Sequence, residues 1–242
     1  PYRRQRQMCI RDRLQNDPTM TARGLMRRYN VEVVCTTDDP VDLLEHHKTI
    51  ADSGFEIKVL PTWRPDKAMA VENPEAFRAY VDRLAEVSGV TINTFNDMVD
   101  ALQRRHDFFE SMGCRLSDHG LEEFYADDFT DDEIAAIFAK VYAGHKLTTE
   151  ETRKFKSKML LVFGEMDHDS GWAQQFHYGT IRNANSRMMS LIGPDTGFDS
   201  IGEFATATSM ARFLDRLNSR GKLGKTILYN LCLLYTSPSP RD

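Results

Sequence analysis

Short runs of alternating apolar and polar residues, each followed by a stretch with helical spacing, recur along the chain, and this alternation most constrains its fold. Runs of this kind cover residues 31–37, 55–61, the short 114–117, the stretch from 172, and 225–230. Strand and helix in repeated succession require crossover connections, which bring consecutive strands side by side and parallel, with helices covering the sheet. Between them, Asn73-Pro74 and Thr94 open helical patterns; Phe77, Tyr80, Val81 and Leu84 share one face, and Phe95, Met98, Leu102 and Phe109 another. Thr130 with Glu133, and Thr148 with Glu151, have capping-box spacing, so two consecutive helices are expected between the third and fourth strands. Asp39 is expected to cap a helix whose first position is Pro40 and which runs to about Asp52. Residues 193–199 read as a loop, followed by an amphipathic helix through Met210, Phe213, Leu214 and Leu217. The fold class is therefore α/β.

Both ends depart from this pattern. PYRRQRQMCIRDR (1–13) and CLLYTSPSPRD (232–242) lack apolar periodicity and look like translated adapter sequence. They are expected to be non-native tails around a barrel-like domain at 14–231. The first tail holds five arginines and one aspartate, so the body is more acidic than the formal net charge of −5 suggests, which argues against nucleic acid as a partner. No run approaches a membrane span and no signal peptide is visible, giving a cytoplasmic expectation with no membrane partner. Of four cysteines, Cys35 and Cys114 lie singly in strand-like segments, where buried free thiols are expected rather than disulfides or a zinc site.

Polar chemistry gathers where strands give way to loops: Asp38-Asp39, Trp63-Arg64, Asp118-His119, His177 with Arg182, and Tyr229-Asn230. The densest is the stretch from Trp172 to Asn185, which releases His177, Gly179, Arg182 and Asn183 within seven residues. An acid/base, a cation and an amide at one strand end suit an anionic, hydroxyl-rich ligand at the C-terminal rim of a parallel sheet or barrel. The competing reading makes His177 a core histidine and Arg182 a solvated residue. His46, His47, His106, His145 and His168 are expected to be structural or surface histidines.

Six strings, CTTDDP (35–40), PTWRPD (61–66), GCRLSDHG (113–120), HYGTIRNAN (177–185), GPDTGFDSIG (193–202) and KTILYN (225–230), together resemble uronate isomerase, also called glucuronate isomerase, of the amidohydrolase superfamily. They follow the family's order over nearly the whole body. The resemblance implies a partial (β/α)8 TIM barrel comprising roughly strands two to six with their helices. It implies an aldose-ketose isomerase of sugar-acid catabolism that interconverts D-glucuronate with D-fructuronate, and D-galacturonate with D-tagaturonate, through an enediolate. Such chemistry needs a base, an oxyanion stabiliser and a carboxylate anchor. His177 and His119 are the candidate catalytic residues. Arg64 and Arg182 are the candidate carboxylate anchors, with Asn183 and Asp38 as further substrate-binding residues.

The family's zinc or other divalent metal is held by a His-x-His pair and a terminal aspartate from segments this chain does not contain. No metal ligand is therefore assigned to it, tight metal binding is not expected, and this polypeptide by itself is expected to be inactive. The partner implied is a small-molecule uronate, with a homo-oligomer possible for the full-length family. An incomplete barrel would leave open strand edges that favour aggregation. Two alternatives remain: a noncatalytic sugar-acid-binding module, and a metal-dependent hydrolase of the same superfamily. The hydrolase normally adds a histidine after the strand that here reads Leu228-Tyr229-Asn230.

Overall fold

All five expected strands form, and every pairing between them is parallel in the computed structural model, which describes residues 11–12, 16–202, 204 and 206–230. The two terminal segments set apart above lie almost wholly outside those residues. The chain divides into two units, one of residues 1–36 and 44–61, the other of residues 37–43 and 62–242.

In the first unit, helix α1 (Ala22–Arg28) precedes strand β1 (Val33–Cys35), and helix α2 (Glu45–Asp52) precedes strand β2 (Lys58–Leu60). β1 pairs with β2 from Val33–Lys58 to Cys35–Leu60. The ring of His47, which is buried, meets the Thr36 hydroxyl at 2.7 Å through Nε2, so this histidine is structural as expected. Two sequence readings need correction here. The helix begins at Glu45, after Leu44 in a left-handed conformation, and not at Pro40. Asp39 therefore does not cap it; its carboxylate takes the Val41 N–H and the Tyr80 hydroxyl instead. Cys35 is a free thiol but an exposed one, because β1 has a neighbour on one side only within its sheet.

The second unit holds helices α3 (Pro74–Ser88), α4 (Phe95–Ser111), α5 (Asp131–Tyr142) and α6 (Thr149–Asp169), with strands β3 (Leu116–Leu121) and β4 (Ala173–Tyr178). Beyond them come β5 (Thr180–Ile181), helix α7 (Ser186–Ile192), β6 (Ser200–Ile201), helix α8 (Thr206–Ser219) and β7 (Lys225–Asn230). The side chain of Asn73 caps α3, and capping boxes open α5 at Thr130 and α6 at Thr148, as the sequence predicts; α4 starts after Thr94 as expected, and there too a capping box forms, with Asp97. Each box satisfies backbone N–H groups that the first helical turn leaves without partners. The short helix α7 and the antiparallel pair β5–β6 flank the 193–199 loop, in segments to which the sequence reading assigns no element.

The sheet of this unit has the order β3-β4-β7. Single parallel bridges add Trp63 beside Ser117 and Asp38 beside Trp63. Because side chains alternate across a strand, Ser117, His119, Gln174 and Phe176 share the buried helix-covered face, whereas Asp118, Gly120, Gln175, His177 and Tyr229 belong to the opposite face. On the covered side, Phe176 packs against Phe124 and Phe213 with ring centroids 5.2 and 5.6 Å apart. Nearby, His106 stacks on Trp172 at 3.7 Å and meets Asp167, which also accepts the Ser117 hydroxyl. His106 is thus a buried structural histidine. Among the described residues, no helix is long and apolar enough to cross a membrane.

Candidate active site

β3 runs farther than its sequence suggests, and this extension creates the site. Residues 114–117 read as the strand, with Asp118-His119-Gly120 as the loop beyond it. The ladder instead continues to Leu121, so that Gly120, His177 and Tyr229 lie side by side in register across β3, β4 and β7. A buried carboxylate in mid-strand needs a compensating charge or polar partners, and Asp118 has the Arg64 charge on one side and an imidazole on the other. Its Oδ1 lies 2.7 Å from His177 Nδ1, and its Oδ2 accepts from Arg64 Nη1 at 3.0 Å.

The charges then alternate outward. Arg64 Nε donates to Asp66 Oδ2 at 3.0 Å, the same oxygen accepts the Gly120 N–H at 2.9 Å, and Asp66 Oδ1 lies 3.4 Å from His119 Nδ1. Burial by itself would raise the Asp66 carboxyl, but His119, the Gly120 N–H and Arg64 together outweigh it and hold the group below its ordinary range. His177 is half exposed, and its ring stacks on Tyr229 with centroids 4.5 Å apart and planes 11° from parallel. Tyr229 in turn donates its hydroxyl to Gln175 Oε1 at 3.1 Å.

Two cavities of about 760 and 520 Å³ open on this face. The larger is lined by Asp118, His177, Tyr229 and Asn230, among others, and the smaller by Asp38, Asp39, Asp66 and Asn183; Arg64 and Arg182 line both. Arg182 follows β5 and is held by Asp199, which accepts from Nη1 at 2.7 Å and from the Asn183 N–H at 2.9 Å. That backbone bond and Arg182 hold the Asp199 carboxyl below its usual range. Asn183 occupies the left-handed region at φ 53° and turns its side-chain oxygen to the Asp195 N–H at 3.3 Å.

Arg64, Arg182, Asn183, Asp38 and His177 are therefore brought together around adjoining cavities. His119 is not among their lining residues: it is fully buried, stacked between Phe176 at 4.8 Å and Phe163 at 5.8 Å. Asp38 contributes mainly to backbone geometry, since its carboxylate accepts the Thr62 N–H and its carbonyl accepts the Arg64 N–H. Asp118, Asp66 and Tyr229 are the participants the sequence reading did not select as site residues. Asp118 was open to detection, because strand alternation places it on the face opposite its neighbour His119. Asp66 was not, since beyond its near neighbour Arg64 its partners Gly120 and His119 lie more than fifty residues away.

What the arrangement offers is a half-exposed histidine at the cavity rim whose Nδ1 lies against a carboxylate. Close by are two arginines whose Nη2 groups converge above Gly120: a Cβ built there would sit 2.2 Å from Arg64 Nη2 and 3.5 Å from Arg182 Nη2. Among the described residues, no three His, Cys, Asp or Glu side chains are grouped to hold a metal ion. The donor set present here thus does not fit the divalent metal that the family resemblance implies.

Residues 8–237 match the family model for glucuronate isomerase. The chain is 70% identical over 214 residues to a uronate isomerase of Bacteroides thetaiotaomicron, covering 88% of this chain and 46% of that protein. It is 54% identical over 226 residues to one of Cellvibrio japonicus, covering 93% and 46%. Among solved structures, the uronate isomerase of Thermotoga maritima superposes with a TM-score of 0.81 at 37% identity, covering 88% of this chain and 46% of the other. The glucuronate isomerase of Caulobacter crescentus gives 0.80 at 30% identity, covering 89% and 44%. The chain spans about half the length of the relatives it matches.

Proposed function

Because the chain belongs to the glucuronate isomerase family, we propose that it is the middle portion, residues 14–231, of an aldose-ketose isomerase for uronic acids, with the tails outside the domain. On this reading the strands are the second to sixth of a (β/α)8 barrel, and the cavity face is its C-terminal rim, where barrel enzymes carry their chemistry. The substrate is D-glucuronate or D-galacturonate, met in the cytoplasm, and the product is the corresponding ketouronate.

The observation that carries this is the convergence of the Arg64 and Arg182 Nη2 groups above Gly120, beside the cavity rim that bears His177. Asp118 and Asp66 engage Nη1 and Nε of Arg64, and Asp199 engages Nη1 of Arg182, so each guanidinium is fixed by nitrogens other than the one presented. A uronate carboxylate seated there takes one charge-assisted hydrogen bond from each arginine. His177 Nδ1 lies 2.7 Å from Asp118 Oδ1, and its imidazole is the group assigned to carry the proton as C2 and C1 exchange hydrogen. Asp118 and Tyr229 position His177, and His119 acts from the core by bracing Asp66. The divalent metal of the family would supply Lewis acidity toward the substrate oxygens, but the residues here do not provide its cage, and no step is assigned to it.

The test is calorimetric titration of the 242-residue chain with D-glucuronate and with D-glucose, which has the same ring without the carboxylate. Glucuronate binding that weakens with salt, no heat from glucose, and loss of binding in Arg182→Met are expected. Equal binding of both sugars would overturn the carboxylate seat. Ketouronate appearing in a zinc-supplemented incubation would overturn the view that this portion is inactive alone, whereas binding without conversion is also what a sugar-acid-binding module would show.

A further inference from the structure

We infer that Gly120 is the positioning residue of this site: the side chain it lacks is the space in which Arg64 lays its guanidinium. Gly120 stands in register with His177 and Tyr229, so a normal residue there would project onto the cavity face beside the histidine. That place is taken by Arg64, whose Nη2 would lie 2.2 Å and Cζ 3.4 Å from a Cβ at position 120. The glycine has no need of its special backbone freedom, for it is absent from the residues with positive φ. Its N–H is already committed to Asp66, the carboxylate that also holds Arg64 Nε. Residue 120 therefore fixes Arg64 twice, by steric allowance and through a shared anchor. Arg64 in turn fixes Asp118, and Asp118 faces His177.

A methyl group at 120 meets the far end of a flexible side chain and no backbone atom within that short distance. Gly120→Ala should consequently leave the sheet intact and displace the guanidinium alone. This inference rests on the carboxylate seat proposed above, and its test separates the two. D-glucuronate affinity is measured by calorimetry for the wild-type chain, Gly120→Ala, Arg64→Ala and the double variant, with thermal unfolding recorded for each. Gly120→Ala is expected to weaken binding about tenfold, with an unfolding temperature close to wild type. In the Arg64→Ala background the same substitution should have no effect on affinity, because interacting positions are non-additive.

If the wild-type chain binds no glucuronate, the seat itself fails and the inference falls with it. If it binds, but Gly120→Ala weakens binding equally with and without Arg64, or leaves it unchanged, the seat stands and the positioning role is overturned. Should Gly120→Ala fail to fold, a folded double variant would support the steric partnership, and an unfolded one would refute it.

Discussion

Arg105 offers the sharpest test of how the second unit holds its cavity loop. This α4 residue is buried, and the bonds of its guanidinium run to main-chain carbonyls: Nε to Pro40 and Nη2 to Asp42, both at 2.7 Å, with a longer contact from Nη1 to Val87 at 3.5 Å. Its guanidinium lies over the Phe108 ring, with Cζ 4.2 Å from the centroid. Pro40 and Asp42 belong to the segment that carries Asp38 and Asp39 along the smaller cavity. Burial pulls the Arg105 pKa below its ordinary value, and the neighbouring Asp42 charge offsets only part of that. Arg105→Met keeps the stem and removes the fork. Two short bonds from a charged donor contribute about 1.5–3 kcal/mol each, and the recovered desolvation of the guanidinium returns part of this. The Pro40 carbonyl stays buried without its donor, whereas that of exposed Asp42 can take water. A net loss of about 2–3 kcal/mol is expected, read as a lower urea midpoint at unchanged m-value, or roughly 4–12 °C in Tm for a chain of this size. Arg105→Lys should lose at least half as much, because one ammonium cannot span both carbonyls in the plane of the fork. A loss under about 1 kcal/mol for Arg105→Met, or full stability in Arg105→Lys, would refute the stapling argument.

Asp66 gives a pH signature. Its carboxyl sits below its ordinary value in the folded chain, so its stabilising share is complete above that ordinary value and is lost as pH falls through the lower folded one. The stability difference between wild type and Asp66→Asn should therefore shrink below about pH 4 in urea titrations; a difference that stays constant from neutral pH down to acid unfolding would count against the assignment. Phe176→Ala removes a ring that is 1% exposed and touches His119, Phe124 and Phe213. It should cost about 3–5 kcal/mol in chemical denaturation, and a cost under about 2 would mean that this core repacks.

The parts legible in sequence are those whose physics is local. Asn73, Thr94, Thr130 and Thr148 each cap a helix through a side chain that reaches a backbone N–H two or three residues on, so residue type and spacing suffice. Asp39 carried the same signal and misled, because its carboxylate had a better offer from distant Tyr80. Burial, together with the Asp39 charge, pushes that phenol well above its usual range. Strand limits fail where polarity imitates a loop: Asp118-His119-Gly120 is strand because partners from three other segments neutralise or pack each member. His119 and His177 look alike as residue types after strand-like runs. The ladder then gives them opposite faces, one among phenylalanines and one over a cavity.

The same reasoning shows why the two arginines could not be ranked from sequence. Rank depends on how many guanidinium nitrogens the fold has already committed, and the commitments come from Asp66, Asp118 and Asp199 at very different separations. Once these are in place, Arg64 is hydrogen-bonded at Nε and Nη1 to two carboxylates, whereas Arg182 is hydrogen-bonded to one through Nη1, with Asp195 a more distant ion-pair partner at 3.9 Å. Arg182 is also the more exposed, at 43% against 30% for the side chain. A ligand carboxylate competing for guanidinium contacts gains most from the arginine with fewer prior claims, while the doubly held one supplies a fixed direction. Replacing Arg182 should consequently reduce affinity, and replacing Arg64 should in addition release Asp118 and with it the orientation of His177.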